Sequence, residues 1–492
     1  MPERSESDSS GLVRGLGFWT STAVVVGAIL GQSVFLVASD MARDVGSPSK
    51  VLFLWVVGGL IVLCGAICYA ELGAMLPHTG GDYIYLSRGI HPACGFLYGW
   101  ANTMIMLPGA QATIAAGFAR LASALLPSIA IPLLTLQLVH GHGFVVTRGQ
   151  GLAVVSILAV TLLNYFGVHG AGRLQLVFTS LKVAAVSAII GFGLFEVAPG
   201  NSSLSVSAIT APTSISGLLT AFVPVLMAYN GFQHLGRVGG EMLHPQKHLP
   251  RALLMATSLV VVLYVLVNWT YFRVLGFVGV AQSQYVASGT VARFAGFRGA
   301  MVLTLAMMIS AFGAQHSGFL LGPRVPFAMA HEGLFFRFAK RVQPRFHTPS
   351  GALFLQTSIT IALVLSGTYA DLYSYAMFAI CSFFVLTAVA LMRLRRNEPS
   401  LSRPFRVWGY PWPPLIFGVA ELAVSLNLCW VRPVRSSIGL GIILLGLPFF
   451  MFWRGQGAHL AIDGDREPAR TPMLATSRTQ PNLRSSQWRV GR

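Results

Sequence analysis

The feature that most constrains this chain is a series of twelve apolar segments, most of them near 20 residues long, separated by polar stretches. About 20 apolar residues in an α-helix cross the hydrocarbon core of a bilayer. Only 10% of the 492 residues are charged, against about 25% in soluble domains. Backbone inside lipid must form its hydrogen bonds internally, which favours helices. The sequence therefore predicts an all-α polytopic protein embedded in a lipid bilayer.

The expected helix bounds follow from the ends of these segments. We place the twelve transmembrane helices at 16–39, 51–76, 93–125, 150–167, 172–197, 216–238, 252–276, 299–322, 350–367, 370–394, 412–430 and 436–453. They form one domain over residues 15–453. The polar residues 1–14 and the Arg-, Ser- and Pro-rich residues 454–492 are expected to be disordered tails.

The net charge of +18 predicts orientation rather than a nucleic-acid partner, because no basic folded domain holds the charge. Basic residues concentrate in the loops after helices 8 and 10 and in the tail, although three loops on the opposite side also carry basic pairs. Cytoplasmic loops of membrane proteins are enriched in Lys and Arg. With an even helix count, both termini are expected to be cytoplasmic, and the protein to lie in the plasma (inner) membrane.

Two of the apolar segments are interrupted by glycine and polar residues. The first contains Gly27, Gly31 and the pair Gln32-Ser33, and another contains Ala228–Leu235 with Asn230 and Gly231 at its centre. Glycine costs about 1 kcal/mol in a helix interior, and polar groups in hydrocarbon cost more. Paired broken helices in the two halves of a membrane chain indicate the substrate site of a transporter.

A broken helix exposes unpaired carbonyls at one pole and unpaired amides at the other. The carbonyl pole attracts an ammonium and the amide pole a carboxylate, so two facing breaks form a receptor for a zwitterion. The expected substrate-binding residues are Ala28, Ile29, Gly31, Gln32 and Ser33 in helix 1, and Met227, Ala228 and Asn230 in helix 6. Alternatively, the Gly27-x-x-x-Gly31 spacing serves only close helix packing.

Several motifs resemble the amino acid–polyamine–organocation (APC) superfamily, especially its L-type amino acid transporter group. They are Gly27–Phe35, Cys68–Tyr83, Ala228–Phe232 with Gly240–Met242, Pro250–Ala252, Gly322–Phe335 and Arg406–Pro411. The resemblance implies a LeuT-like fold with a 5+5 inverted repeat, broken helices 1 and 6, and alternating access. It also implies that these two helices bind an amino acid through its backbone groups.

The chain departs from the group at three positions of the expected site. Gln32 places a bulky amide beside the expected carboxylate pole, Met227 replaces an aromatic gate, and Asn230 replaces a glycine. We therefore expect a substrate that is smaller than the large neutral amino acids or that differs from them in kind. Neither break contains an acidic residue, which disfavours a strongly cationic substrate.

Lys182 lies about ten residues into predicted helix 5, roughly 15 Å along the axis and near the bilayer centre. Ionisable residues at that depth are costly and are expected to be functional. The alternative is that the side chain extends along the helix to the cytoplasmic surface. In the L-type group a lysine in helix 5 stands where related carriers bind sodium, so the resemblance implies that the Lys182 ammonium replaces that ion and couples transport, in some members through its proton.

The remaining sequence features exclude other classes of function. The chain has no Gly-x-x-x-x-Gly-Lys-[Ser/Thr] motif for ATP, and its five cysteines complete no zinc spacing. We expect neither an enzyme nor a cofactor or metal. Residues 127–149 lack the cysteine through which eukaryotic L-type members bind a heavy chain, so no disulfide-linked heavy chain is expected. The sequence favours sodium-independent exchange (antiport) or proton-coupled uptake of an amino acid. Sodium-coupled symport and a non-transporting amino acid sensor remain alternatives.

Overall fold

The computed structural model describes residues 14–31, 33–126, 128, 132–137, 143–195, 215–283, 285–366 and 369–463. Within these ranges the helices are α1 Phe18–Ile29, α2 Ser33–Val45, α3 Pro48–Met75, α4 Asp82–Gly89, α5 Pro92–Ala101, α6 Leu107–Leu125, α7 Arg148–Tyr165, α8 Val168–Phe195, α9 Ile215–Tyr229, α10 Pro245–Gln282, α11 Val286–Leu321, α12 Arg324–His331, α13 Ser350–Ser366, α14 Tyr369–Asn397, α15 Trp412–Val431, α16 Pro433–Leu444 and α17 Gly446–Asp463. A π-helical turn, Asn102–Met106, joins α5 to α6. Gln32, most of the predicted N-terminal tail and residues 464–492 of the predicted C-terminal tail lie outside the described residues.

Seven helical spans of the described chain have the length and apolar composition needed to cross a membrane. Three further apolar helices are shorter, at Phe18–Ile29, Leu219–Tyr229 and Ser350–Ser366. Large apolar side chains such as Phe195, Trp430 and Val302 are exposed on the outside of the bundle, as expected for surfaces that contact lipid tails. These features confirm an all-helical polytopic membrane protein, whereas the count of twelve spans stays a prediction.

The first predicted helix consists of two helices, α1 and α2, separated by Leu30–Gln32. The backbone of Leu30 leaves the helical region at φ −74° and ψ 75°. The Leu30 amide completes the last bond of α1 to the Val26 carbonyl at 2.7 Å. The helix therefore stops at the glycine and polar residues that interrupt the apolar segment.

The sixth predicted helix is also in pieces. Helix α9 ends at Tyr229, and the chain continues as two short 3-10 segments, Phe232–Arg237 and Gly239–Glu241. Gly231 lies between α9 and the first of these segments with φ +131°, a conformation that glycine adopts readily and other residues do not. Because a 3-10 helix has three residues per turn, it turns side chains in directions that an α-helical pattern does not predict.

Four features differ from the sequence-based expectation. Residues 132–137 and 143–147 form an antiparallel hairpin of strands β1 and β2, where we expected a loop in an otherwise all-α chain. Helices α10 and α11 are longer than predicted helices 7 and 8, but each is interrupted by a glycine with positive φ: Gly276 at the expected end of helix 7, and Gly296 just before the expected start of helix 8. The last predicted helix is divided into α16 and α17, and α17 runs to Asp463, beyond the expected end at 453.

One end of the bundle is joined by interactions between segments that are distant in sequence. Leu16 pairs with Met242 in a short parallel bridge. Glu241 and Arg324 form a fully buried two-point ion pair, with N–O distances of 2.8 and 2.9 Å. These contacts connect the beginning of the first helix, the end of the sixth and the beginning of α12.

Candidate functional site

The two breaks lie against each other. A Cβ atom on Gly231 would lie 2.9 Å from the carbonyl carbon and oxygen of Ala28 and 3.0 Å from the Ile29 amide nitrogen. Real Cβ atoms do not approach backbone that closely, so only glycine fits between the breaks. The structure therefore brings Ala28 and Ile29 of the first break within contact distance of the second break, as the sequence predicted from two separate glycine-containing interruptions.

A tyrosine from a third helix joins the two breaks. The Tyr264 hydroxyl on α10 is 2.9 Å from the Ile29 carbonyl oxygen and 3.2 Å from the Ala228 carbonyl oxygen. Its ring is buried edge-on against Trp55, whose backbone carbonyl accepts a hydrogen bond from the hydroxyl of Tyr229 at 3.1 Å. Sequence reasoning missed Tyr264, although a tyrosine in the middle of an apolar segment needs a partner for its hydroxyl.

The predicted carbonyl pole is partly occupied by the protein itself. The Ile29 carbonyl accepts from the Gly31 amide at 2.8 Å, and it is the nearer of the two carbonyls to the single hydroxyl proton of Tyr264, so both of its acceptor positions are in use when Tyr264 donates to it. The Met227 carbonyl accepts from the Asn230 amide at 3.2 Å. The Ala228 carbonyl keeps an acceptor position beyond the one facing Tyr264, because a carbonyl oxygen has two lone pairs. Ala228 is therefore better placed than Ile29 to accept from a ligand ammonium.

The remaining predicted site residues are at or beside the breaks. Gly31 is partly exposed, and Ser33 begins the second half of the first helix. Asn230 is partly exposed, and its side-chain oxygen accepts from the Gln233 amide at 2.9 Å. Gln32 lies outside the described residues.

Lys182 on α8 is buried and reaches the first helix. Its Nζ donates to the Gly27 carbonyl at 3.0 Å, one turn before the break. The side chain is 1% exposed, which contradicts the alternative that it extends to the membrane surface. It forms no ion pair with any carboxylate in the described ranges of the chain.

A polar stripe on α8 surrounds that contact. Thr179 donates to the Ala23 carbonyl at 2.8 Å, and Gln175 lies 3.2 Å from Thr179. A Cβ atom on Gly27 would overlap the Gln175 amide nitrogen at 1.9 Å, whereas one on Gly31 would meet its nearest atom at 4.0 Å. The close-packing interpretation of the glycine pair is therefore right for Gly27, and Gly31 is instead part of the interruption.

A small cavity of about 30 Å³ begins at the second break. Helices α5, α6 and α14, the π-helical turn and the 3-10 segment after Gly231 enclose it. Its lining is Tyr98, Asn102, Met106, Leu107, Ala110, Asn230, Gln233, His234, Arg237, Ile380, Phe383 and Phe384. Of these residues, the sequence predicted Asn230 as a substrate-binding residue and His234 as a candidate for the cavity lining, and it missed the others.

Arg237 is the charged member of that lining and is 2% exposed. Its Nη2 donates to the Tyr98 hydroxyl at 3.0 Å and to the Asn102 side-chain oxygen at 2.9 Å. Tyr98 in turn donates to the buried Asp82 carboxylate at 3.0 Å. The cavity thus has a guanidinium at one side, connected to a carboxylate through a phenol.

Comparison with known proteins identifies a family for most of the chain. The amino acid permease family model matches residues 16–452. The Asc-type amino acid transporter 1 of Homo sapiens is 29% identical over 459 residues, covering 92% of this chain and 84% of the relative. The large neutral amino acids transporter small subunit 2 of Mus musculus is 29% identical, covering 92% and 84%. The b(0,+)-type amino acid transporter 1 of Mus musculus is 28% identical, covering 88% and 85%.

Proposed function

Because the chain belongs to the amino acid permease family and is an amino acid transporter rather than an enzyme, we propose that it is a secondary active carrier that works by alternating access. The carrier has twelve transmembrane helices in a LeuT-like 5+5 inverted repeat, with the first and sixth helices broken. The observation that carries this proposal is the direct contact of the two breaks at Gly231 and Ala28. Continuous helices at these positions would offer no unpaired backbone groups to a substrate.

The amino acid binds between the breaks through its backbone groups. Its ammonium donates to the carbonyls of Ala28 and Ala228, and its carboxylate accepts from the amides of Gln32 and Ser33, beside Gly31. Carbonyls at the end of a helix carry partial negative charge and amides at the beginning carry partial positive charge. The side chain extends into the cavity that begins at Asn230.

Lys182 takes the place of a coupling cation. Its ammonium already interacts with the Gly27 carbonyl near the break, where a bound sodium ion would need carbonyl ligands. This contact supports sodium-independent exchange or proton-coupled uptake over sodium-coupled symport. A change in the charge or position of Lys182 would act directly on the helix that carries the substrate site.

The carrier lies in the plasma (inner) membrane with both termini cytoplasmic, as the distribution of basic loops favours. It functions without a disulfide-linked heavy chain, because residues 127–149 contain no cysteine. Purification of the single chain in a transport-competent form tests this point directly.

Uptake by purified protein in liposomes tests the proposed function. A carrier gives saturable uptake of labelled amino acid that rises when unlabelled amino acid is present inside the vesicles. Binding without flux would instead identify a sensor, and a strict requirement for external sodium would identify a sodium symporter. Empty liposomes and a Lys247→Ala variant, which changes an exposed lysine, are the matched controls for a Lys182→Ala variant.

A further inference from the structure

We propose that the carrier selects amino acids with an anionic side chain, and that Arg237 with Asn102 binds the side-chain carboxylate. This inference rests on the proposed function and adds the class of substrate. It depends on the hydrogen-bond state of one buried guanidinium and on the position of that guanidinium in the cavity.

The Arg237 guanidinium is buried with most of its donors unused. Nε and Nη1 have no hydrogen-bond partner among the described residues, although the side chain is only 2% exposed. Leaving donors of a charged group unpaired inside a protein is costly. Such groups in a cavity are therefore candidates for binding a ligand of opposite charge.

The second buried arginine, Arg324, shows how this chain satisfies a structural guanidinium. Arg324 has a direct two-point contact with the Glu241 carboxylate, at 2.8 and 2.9 Å. Arg237 has no carboxylate within ion-pair distance in the described part of the chain. Two-point contact with a carboxylate is the geometry for which arginine is best suited, and of the two buried arginines among the described residues Arg324 has that contact and Arg237 does not.

Asp82 does not supply that contact, because hydroxyl groups surround it. Tyr98 donates to Asp82 at 3.0 Å, Thr387 donates to it at 3.2 Å, and Tyr69 is a third donor. The carboxylate is thus satisfied by neutral donors, and Arg237 reaches it only through the Tyr98 hydroxyl. This arrangement reduces the cost of burying the positive charge and still leaves the Nε and Nη1 donors, which lie on different sides of the guanidinium, without partners among the described residues.

The residues that carry the unpaired donors line the cavity that begins at the second break. Arg237, Asn102 and Asn230 all line it, and Asn230 lies at the second break. The side-chain nitrogen of Asn102 is also buried without a partner among the described residues. The other walls are largely apolar, including Met106 and Phe383, and a low-dielectric surrounding strengthens attraction between opposite charges. Arg237 and Asn102 thus carry three buried donor atoms without a partner among the described residues, and both residues line the cavity that a substrate side chain would enter from the breaks.

Competition against labelled substrate in liposomes tests the inference with matched amino acids. Glutamate and glutamine differ in one charged group, as do aspartate and asparagine. We expect glutamate or aspartate to compete at least tenfold better than its amide, and lysine not to compete. If neutral amino acids are transported and neither acidic amino acid competes, this inference fails while the proposed function stands. If no amino acid binds or moves, the proposed function itself fails.

Two variants separate side-chain recognition from a structural role. In Arg237→Gln the preference for acidic over amide substrates should fall by at least tenfold, with neutral amino acids still transported. In Arg237→Lys, which keeps the charge, part of the preference should return. An equal loss for acidic and neutral substrates in both variants would contradict the inference, because it would assign Arg237 to the substrate α-carboxylate or to folding. If neither Arg237 variant folds, the same competition assay is run on the unaltered protein and on Asn102→Ala. The inference then requires a preference for acidic over amide substrates in the unaltered protein and a smaller preference in Asn102→Ala.

Discussion

Replacing Gly231 by alanine tests the contact between the two broken helices. The added Cβ would lie 2.9 Å from the Ala28 carbonyl group and 3.0 Å from the Ile29 amide, both of which are backbone atoms. Overpacking costs about 1–3 kcal/mol, and a positive-φ position without glycine costs about 1–3 kcal/mol more. We therefore expect Gly231→Ala to destabilise the contact between the two breaks by about 2–6 kcal/mol, the sum of the overpacking cost and the backbone cost.

The assay for this variant is substrate affinity by competition, together with the thermal stability of the purified protein in detergent. Since 1.4 kcal/mol corresponds to about a tenfold change in an equilibrium constant, affinity should fall by at least tenfold. Gly191→Ala is the matched control, because a Cβ on Gly191 meets nothing within 4 Å. Unchanged affinity and melting temperature in Gly231→Ala would refute the contact.

Three further substitutions test other contacts of the site. Tyr264→Phe removes the hydroxyl that faces the Ile29 and Ala228 carbonyls. Because one hydrogen bond contributes about 0.5–1.5 kcal/mol net, substrate affinity measured by competition should fall about two- to tenfold. Lys182→Ala should abolish uptake in liposomes while expression stays normal, because it removes the cation bound to the Gly27 carbonyl. Glu241→Gln should lower the free energy of unfolding by about 3–5 kcal/mol, the cost of breaking a buried ion pair, and should therefore lower the melting temperature.

Each of these substitutions has a control in the same chain. Tyr271→Phe removes another buried hydroxyl that has no partner among the described residues, so its affinity should not change. Lys247→Ala, which changes an exposed lysine, is the control for Lys182→Ala, and normal uptake by Lys182→Ala would remove Lys182 from the mechanism. Asp40→Asn breaks an exposed ion pair with Arg43, which is worth about 0–1 kcal/mol. If Asp40→Asn and Glu241→Gln lower the melting temperature equally, the buried Glu241–Arg324 pair does not stabilise the end of the bundle at which it lies.

The sequence predicted the membrane class and both interruptions because these depend on local composition. Apolar segments of spanning length and glycines among polar residues are visible without any knowledge of tertiary contacts. Lys182 was also recognisable, since a charge in an apolar segment needs an explanation. The contact between Gly231 and Ala28 involves residues about two hundred positions apart, so it could be expected only from the idea of paired breaks.

The residues missed by sequence reasoning depend on geometry that a linear pattern does not contain. Arg237 follows the second break in a 3-10 segment, and its direction depends on how that segment turns after Gly231. Tyr264 reads as an ordinary apolar-segment tyrosine until the fold places it between two breaks. Gly276 and Gly296 interrupt α10 and α11 close to the bounds expected for helices 7 and 8, and the helical residues beyond these two glycines lie outside the segments that the apolar pattern predicted.

The central claim is that the poles of two broken helices bind the ammonium and the carboxylate of one amino acid. The most direct measurement compares the affinity of the purified protein for a transported amino acid, its N-acetyl derivative and its decarboxylated amine. The account predicts that both derivatives, each of which lacks one charged pole, bind at least a hundredfold more weakly. Equal affinity for either derivative would contradict it, because the corresponding pole would then contribute nothing to binding.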